Sequence, residues 1–273
     1  MEPYFIIATI FYLLSCACYF GYLFFQRNAF QRAAAALMTA GFVVHTVSLV
    51  TNGIRTGDFP VNNLHDTLSI TGWAITAVFL AFSFRYKLKI LGIYAAPLIC
   101  LTMIAADRLP QPAAKNPQLF KSWWLAAHII TIFTGNAAFS LACGVGLLYL
   151  LQENAIKKKT RGFFFSRLPS LELLDTTGYA CIVVGFSMTT IGLITGAVYA
   201  KAIWGRFWSW DPKEVWSAIT WMFYAALLHE RLTVGWRGRR AAIMAVIGFS
   251  VLLFTFFGVN FLLHGHHEVF TAM

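Results

Sequence analysis

The segment WGRFWSWDPKEVW, from Trp204 to Trp216, holds four of the chain's nine tryptophans. Indoles packed that closely make a rigid apolar platform able to stack on a flat ring, and a neutral imidazole in an apolar setting is a good metal ligand. Several of the seven histidines are expected on the same side of the membrane as that segment. His128 lies about two turns into an apolar run that starts near residue 122, and His264, His266 and His267 follow the last apolar run. His229 closes the run that the tryptophan segment opens, while His45 and His65 belong to earlier parts of the chain. Each histidine alone also fits an interfacial or hydrogen-bonded role, and the tryptophans also fit an aromatic belt at the lipid headgroups.

The other reactive side chains narrow the chemistry. Cys16, Cys18, Cys100, Cys143 and Cys181 all sit in apolar runs and form no Cys-x-x-Cys pair, which argues against structural zinc, a disulfide framework and a covalently held c-type haem. Asp211, Pro212 and Glu214 have the order of an N-cap, a first-turn proline and a capping-box glutamate. The two carboxylates are therefore expected to start a helix rather than to perform acid–base catalysis. Trp204 and Trp208 are four residues apart and would share a face if the approach to that helix is itself helical, with Trp210 close behind. An apolar platform flanked by imidazoles suits a flat hydrophobic ring that carries a metal. Haem b with histidine axial ligands is the group these residues best fit.

The elements that must position them are membrane helices. A composition of 59% hydrophobic, 16% aromatic and 12% charged residues leaves too little polar surface for a soluble globule of 273 residues. Apolar stretches long enough to cross a bilayer run at about 4–25, 31–51, 66–84, 88–106, 122–151, 176–199, 212–231 and 240–263. The reading is an all-α polytopic membrane protein of about eight transmembrane helices. Of the 21 Lys and Arg, fourteen fall in alternate loops from Arg27 to Arg240 and seven in the others, from Arg55 to Lys213. The positive-inside rule then puts both termini and the tryptophan segment outside the cytoplasm. The net charge of +10 is accounted for by this topology and by membrane lipid, so no nucleic-acid partner is expected. Met-Glu-Pro without a basic flank reads as the start of a first span rather than of a cleaved leader. The whole of 1–273 reads as a single transmembrane domain, with N-terminal spans in 1–121 and the functional region in 122–270.

Four stretches, WGRFWSWDPKEVW, WWLAAHIITIFTGNAAFSLACG around His128, WMFYAALLHERL around His229 and FGVNFLLHGHHEVF at the C-terminal end, resemble the CcsA/ResC-type haem-handling membrane proteins of system II cytochrome c maturation, the tryptophan-rich WWD family. GDFPVNNLHD at 57–66 is similar to that family's first outer loop. The resemblance implies a subunit of cytochrome c synthase, a haem lyase acting by haem positioning. It would bind haem and present it outside the membrane for covalent attachment to apocytochrome c at Cys-x-x-Cys-His sites. By the same resemblance His128 and His267 are the axial ligands of the outer haem, with His264 and His266 close enough to compete. Trp204, Trp208, Trp210, Asp211 and Trp216 form the haem-binding segment, and His229 is linked to an intramembrane haem site. The implied partners are a separate CcsB/ResB-like membrane protein and apocytochrome c. The implied location is a bacterial cytoplasmic or thylakoid-type membrane. The end of the chain departs from the family, since His267-Glu268-Val269-Phe270 stands where His-Ser-Tyr-Gly is usual, and His65-Asp66 replaces an aromatic and a glutamate. A haem exporter without ligation activity and a bis-histidine b-type electron-transfer protein are the alternatives.

Overall fold

In the computed structural model the described residues are 3–57, 59, 61, 63–86, 88–110, 122–159, 162–163 and 165–259. They form eight α-helices in two compact units. The first unit contains α1 (Pro3–Phe25), α2 (Asn28–Thr56), α3 (Leu64–Tyr86) and α4 (Gly92–Asp107), the last entered through a short 3-10 turn at Lys89–Leu91. The second contains α5 (Trp123–Lys157), α6 (Leu171–Trp204), α7 (Pro212–His229) and α8 (Arg239–Leu253), and a single π-helical turn follows each of the last two. Seven of the eight are long and apolar enough to cross a membrane. The exception is α7, an 18-residue helix whose first turn carries Lys213 and Glu214.

The core of the first unit is α3, which is buried along most of its length, with α4 and α2 packed against it and α1 meeting it through the Phe5–His65 and Tyr19–Phe79 ring contacts. Its polar residues are satisfied internally, as a lipid-embedded unit requires. His45 on α2 is fully buried and meets the Tyr12 hydroxyl through Nδ1 at 3.2 Å and the Ser69 hydroxyl through Nε2 at 2.9 Å. With both ring nitrogens engaged, His45 is a hydrogen-bonded core histidine. His65 Nδ1 is 2.8 Å from the carbonyl of Ala106, which ties the start of α3 to the end of α4.

In the second unit α5 and α6 form the long pair, 35 and 34 residues, about 50 Å each. Both exceed the stretches 122–151 and 176–199 expected from hydropathy, because the helices continue through end turns that carry charged residues and that an apolar count leaves out. Ser122 and Ser170 cap their first turns by accepting from the amides of Trp124 and Leu173. Gly178, Gly185 and Gly192 recur every seven residues on the α6 face that meets α5. A Cβ on Gly185 would come within 2.5 Å of the Phe139 ring, and one on Gly192 within 2.6 Å of Ile132. Small residues of this kind let two membrane helices approach closely where burial of apolar area offers no advantage over lipid. The α7 helix is fastened to this pair by the Trp221 indole, which donates to Thr190 Oγ1 at 2.8 Å, and by Tyr224, whose ring stacks on Phe139 at 3.4 Å between centroids.

At the His229 end a polar clamp joins the helices. Arg231 binds Asp175 in a two-pronged pair at 3.0 and 2.6 Å and lies over the Tyr179 ring, while the Gly238 amide donates to the same carboxylate at 2.7 Å. Arg239 pairs with Glu153 at 2.8 Å, which attaches the start of α8 to the end of α5.

Candidate functional site

The tryptophan segment begins where α6 stops. Gly205 takes a left-handed conformation, φ 74°, and its amide closes the helix on the Lys201 carbonyl. Trp208 therefore lies off the helix, and the shared Trp204–Trp208 face that a continuous helix would present does not form. Instead Trp204 meets Tyr199 edge-on, and Trp208 and Trp210 pair at right angles with centroids 5.9 Å apart. Trp210 is 78% exposed and sits at φ 59°, a left-handed backbone that costs a residue with a Cβ about 1–2 kcal/mol. The next residues show what holds it there. Asp211, only 4% exposed, caps α7 with its carboxylate on the Lys213 amide at 2.9 Å, as the Asp-Pro-x-Glu order predicts. The Glu214 carboxylate reaches back to the Ser209 amide at 2.8 Å, the Ser209 hydroxyl at 3.0 Å and the Asp211 amide at 3.3 Å. Trp210 is thus clasped between two residues held by one glutamate.

His128 occupies the second turn of α5, behind the exposed Trp123 and Trp124. Its Nδ1 donates to the carbonyl of Gly192 on α6 at 2.7 Å. A proton held on Nδ1 by a backbone carbonyl leaves the lone pair of a neutral imidazole on Nε2, the arrangement in which histidine binds a metal. The depth of His128 follows from register. Trp221 of α7 is opposite Thr190 of α6, and the two helices run antiparallel, so five residues along each in the direction of the tryptophan segment put Trp216 opposite Thr195. Gly192, and with it His128, is therefore within about one helical turn of the level of Trp216. The Trp216 indole packs on Phe254 at 4.5 Å, next to the Thr220–Thr255 hydroxyl pair at 2.8 Å.

His229 is elsewhere. It is the last residue of α7, exposed, and about 27 Å of helix separates it from the capping box. His264, His266 and His267 lie outside the described residues. Among the described residues no three His, Cys, Asp or Glu side chains converge on a common point, so no metal there is caged by protein ligands alone. The Gly192 carbonyl and the Asp175–Arg231 clamp were not singled out from the sequence. Their signals were the GLITG spacing within an apolar run and an aspartate at the start of that same run.

Comparison with known proteins bears on the same region. The cytochrome C assembly protein family matches residues 61–267, which include His128, the tryptophan segment and His229. The cytochrome c biogenesis protein CcsA of Prochlorococcus marinus (strain MIT 9215) is 35% identical over 268 residues, covering 90% of this chain and 86% of that protein. The CcsA protein of Guillardia theta is 33% identical, with 94% and 92% covered. Among solved structures the fold is similar to that of the cytochrome c heme lyase CcmF, with a TM-score of 0.63 at 18% identity; the alignment takes in 98% of this chain and 47% of that longer one. Matched by that family's model over residues 61–267 and aligned along nearly its whole length with those relatives, this chain belongs to the cytochrome c assembly protein family as a cytochrome c biogenesis protein of CcsA type.

Proposed function

We propose that the chain binds haem b at the tryptophan end of its second helical unit and presents it for covalent attachment to the Cys-x-x-Cys-His site of apocytochrome c. The observation that carries this reading is the His128–Gly192 hydrogen bond, which directs the Nε2 lone pair of a membrane-embedded imidazole to ligation at the depth of Trp216. His128 is one axial ligand and His267 the other. Trp204, Trp208, Trp210 and Trp216 supply the apolar surface against the ring, and Asp211 holds the turn that carries them. The chain's contribution is positional. It fixes the ring edge that receives the acceptor thiols and shields the iron from competing ligands, so no nucleophile or general base is needed from these residues.

The positive-inside count supports a topology with this end and both termini outside the cytoplasm, in a bacterial cytoplasmic or thylakoid-type membrane. His229, at the opposite end of α7, serves an inner haem station that loads before the outer one. The partners are a CcsB/ResB-like membrane protein and the apocytochrome.

The test is coexpression with such a partner and a Cys-x-x-Cys-His acceptor, scored by covalent haem on the acceptor. His128→Ala abolishes the product, and added imidazole restores part of it by filling the vacated coordination position. Undiminished product from His128→Ala would refute the ligand assignment. Haem bound without any transfer to the acceptor would favour an exporter or a b-type electron carrier.

A further inference from the structure

Gly192 and Gly196 lie four residues apart on α6 and so share a face. That face is where the His128 ring rests. A Cβ on Gly196 would stand 2.5 Å from His128 Nδ1 and 2.7 Å from Cε1, and the three nearest atoms it would meet all belong to that imidazole. The ring therefore lies flat against bare backbone at Gly196 while its Nδ1–H reaches the Gly192 carbonyl one turn away at 2.7 Å. The same carbonyl has a second side-chain neighbour. The Thr195 hydroxyl lies 3.1 Å from it and 2.9 Å from the Ile191 carbonyl, and can donate to either.

We infer that the Gly192–Gly196 notch of α6 is a positioning device that selects the Nδ1–H tautomer of His128 and aims its Nε2. This rests on the reading of His128 as an iron ligand, and it adds what the bare backbone at Gly196 does for that ligand. A ligand imidazole acts through three properties: which nitrogen bears the proton, where the other points, and how strongly the protonated nitrogen is hydrogen-bonded, which raises the basicity of the ligating one. The glycine at 196 controls the first two by admitting the ring. The division of the Gly192 carbonyl between His128 and Thr195 controls the third. An imidazole is the movable partner, so an added methyl at 196 displaces the ring rather than the helix, and the hydrogen bond to Gly192 is lost with it.

The experiment compares Gly196→Ala, His128→Ala, the double variant and Thr195→Val, purified in detergent at equal protein level. Two readouts are taken: haem affinity with the absorption spectrum of the bound haem, and the nitrogen-15 histidine NMR signature of the haem-free protein, which reports the tautomer. Loss of an outer-shell partner of a metal ligand typically costs about 10–100-fold in affinity. Gly196→Ala is expected to lower affinity by that factor, to convert the six-coordinate low-spin spectrum to a high-spin one that imidazole reverses, and to remove the Nδ1–H signature of His128. In the His128→Ala background the same substitution should change nothing further, because the atoms it would strike are gone. Thr195→Val should keep the low-spin spectrum and shift the haem midpoint potential negative, since the whole carbonyl then serves His128. A Gly196→Ala protein with wild-type spectrum and tautomer overturns the inference, as does an equal effect of Gly196→Ala with and without His128. His128→Ala with an unchanged haem spectrum would instead sink the ligand assignment, while the tautomer measurement would still stand or fall on its own.

Discussion

Trp210 holds an unfavourable backbone conformation, and the hydrogen bonds of its neighbours show how it is sustained. Residues kept in sparsely populated dihedral regions persist where the surroundings over-determine them, and they gather at functional sites. Here the surroundings are the Glu214 carboxylate on the amides of Ser209 and Asp211, which flank Trp210 in the chain, and the Asp211 cap beyond it. The indole itself is largely in the open, its ring contact being the edge-on pair with Trp208, so little burial accompanies the strain. Trp210→Gly separates the two roles, because glycine adopts that conformation without penalty. The variant should be more stable to thermal unfolding in detergent by about 1 kcal/mol while transfer of haem to an acceptor falls; loss of both together would mark Trp210 as a structural anchor. The capping residues were readable in the sequence because Asp-Pro-x-Glu has one physical meaning at a helix start. The left-handed tryptophan was not, since nothing in a tryptophan-rich string distinguishes a residue inside a helix from one past its glycine stop.

Among the elements, α7 depends most on its ends. Its 18 residues begin in the capping box and finish one residue before the turn that carries Arg231 into the clamp with Asp175. Removing the Glu214 carboxylate leaves two amides and a hydroxyl to find other partners. Cap residues are worth about 0.5–2 kcal/mol each, so Glu214→Ala should lower stability by about 1–2 kcal/mol and Glu214→Gln by less. Proteolysis at the 205–211 turn checks this: faster cleavage in Glu214→Ala than in wild type is expected, with the rest of the bundle equally resistant. The existence of seven helices was visible from apolar length, since a bilayer sets that length directly, while α7, expected as a span at 212–231, falls short of it and is marked instead by its capping box. The true extents of α5 and α6 were not, because Gln152–Lys157 and Leu171–Asp175 carry charged side chains whose helical form is secured by capping and ion pairs. The seven-residue glycine seam between α5 and α6 was present in the sequence as Gly178, Gly185 and Gly192, but its role depends on Phe139 and Ile132 facing it from another helix.

Across the whole molecule, His128 and His229 belong to different ends of one helical unit, and about 27 Å of α7 keeps one haem from touching both. If each end has its own station, the two histidines should fail independently. His229→Ala should lower the haem that copurifies with the complex and starve the outer site, while His128→Ala should leave the inner haem in place with its own absorption spectrum. Unchanged haem and unchanged ligation in His229→Ala would reduce it to a headgroup anchor beside Arg231. The long pair and the short helix also respond differently to the lipid around them. With about 50 Å each, α5 and α6 overhang a hydrocarbon slab of roughly 30 Å and can tilt or slide to suit thinner or thicker bilayers. No such reserve exists in α7, which spans about 27 Å between two fastened ends. Membrane thickness therefore acts on this protein through α7, the helix fastened at both ends, and a thicker bilayer must either thin locally around α7 or draw the tryptophan turn inward from the membrane surface.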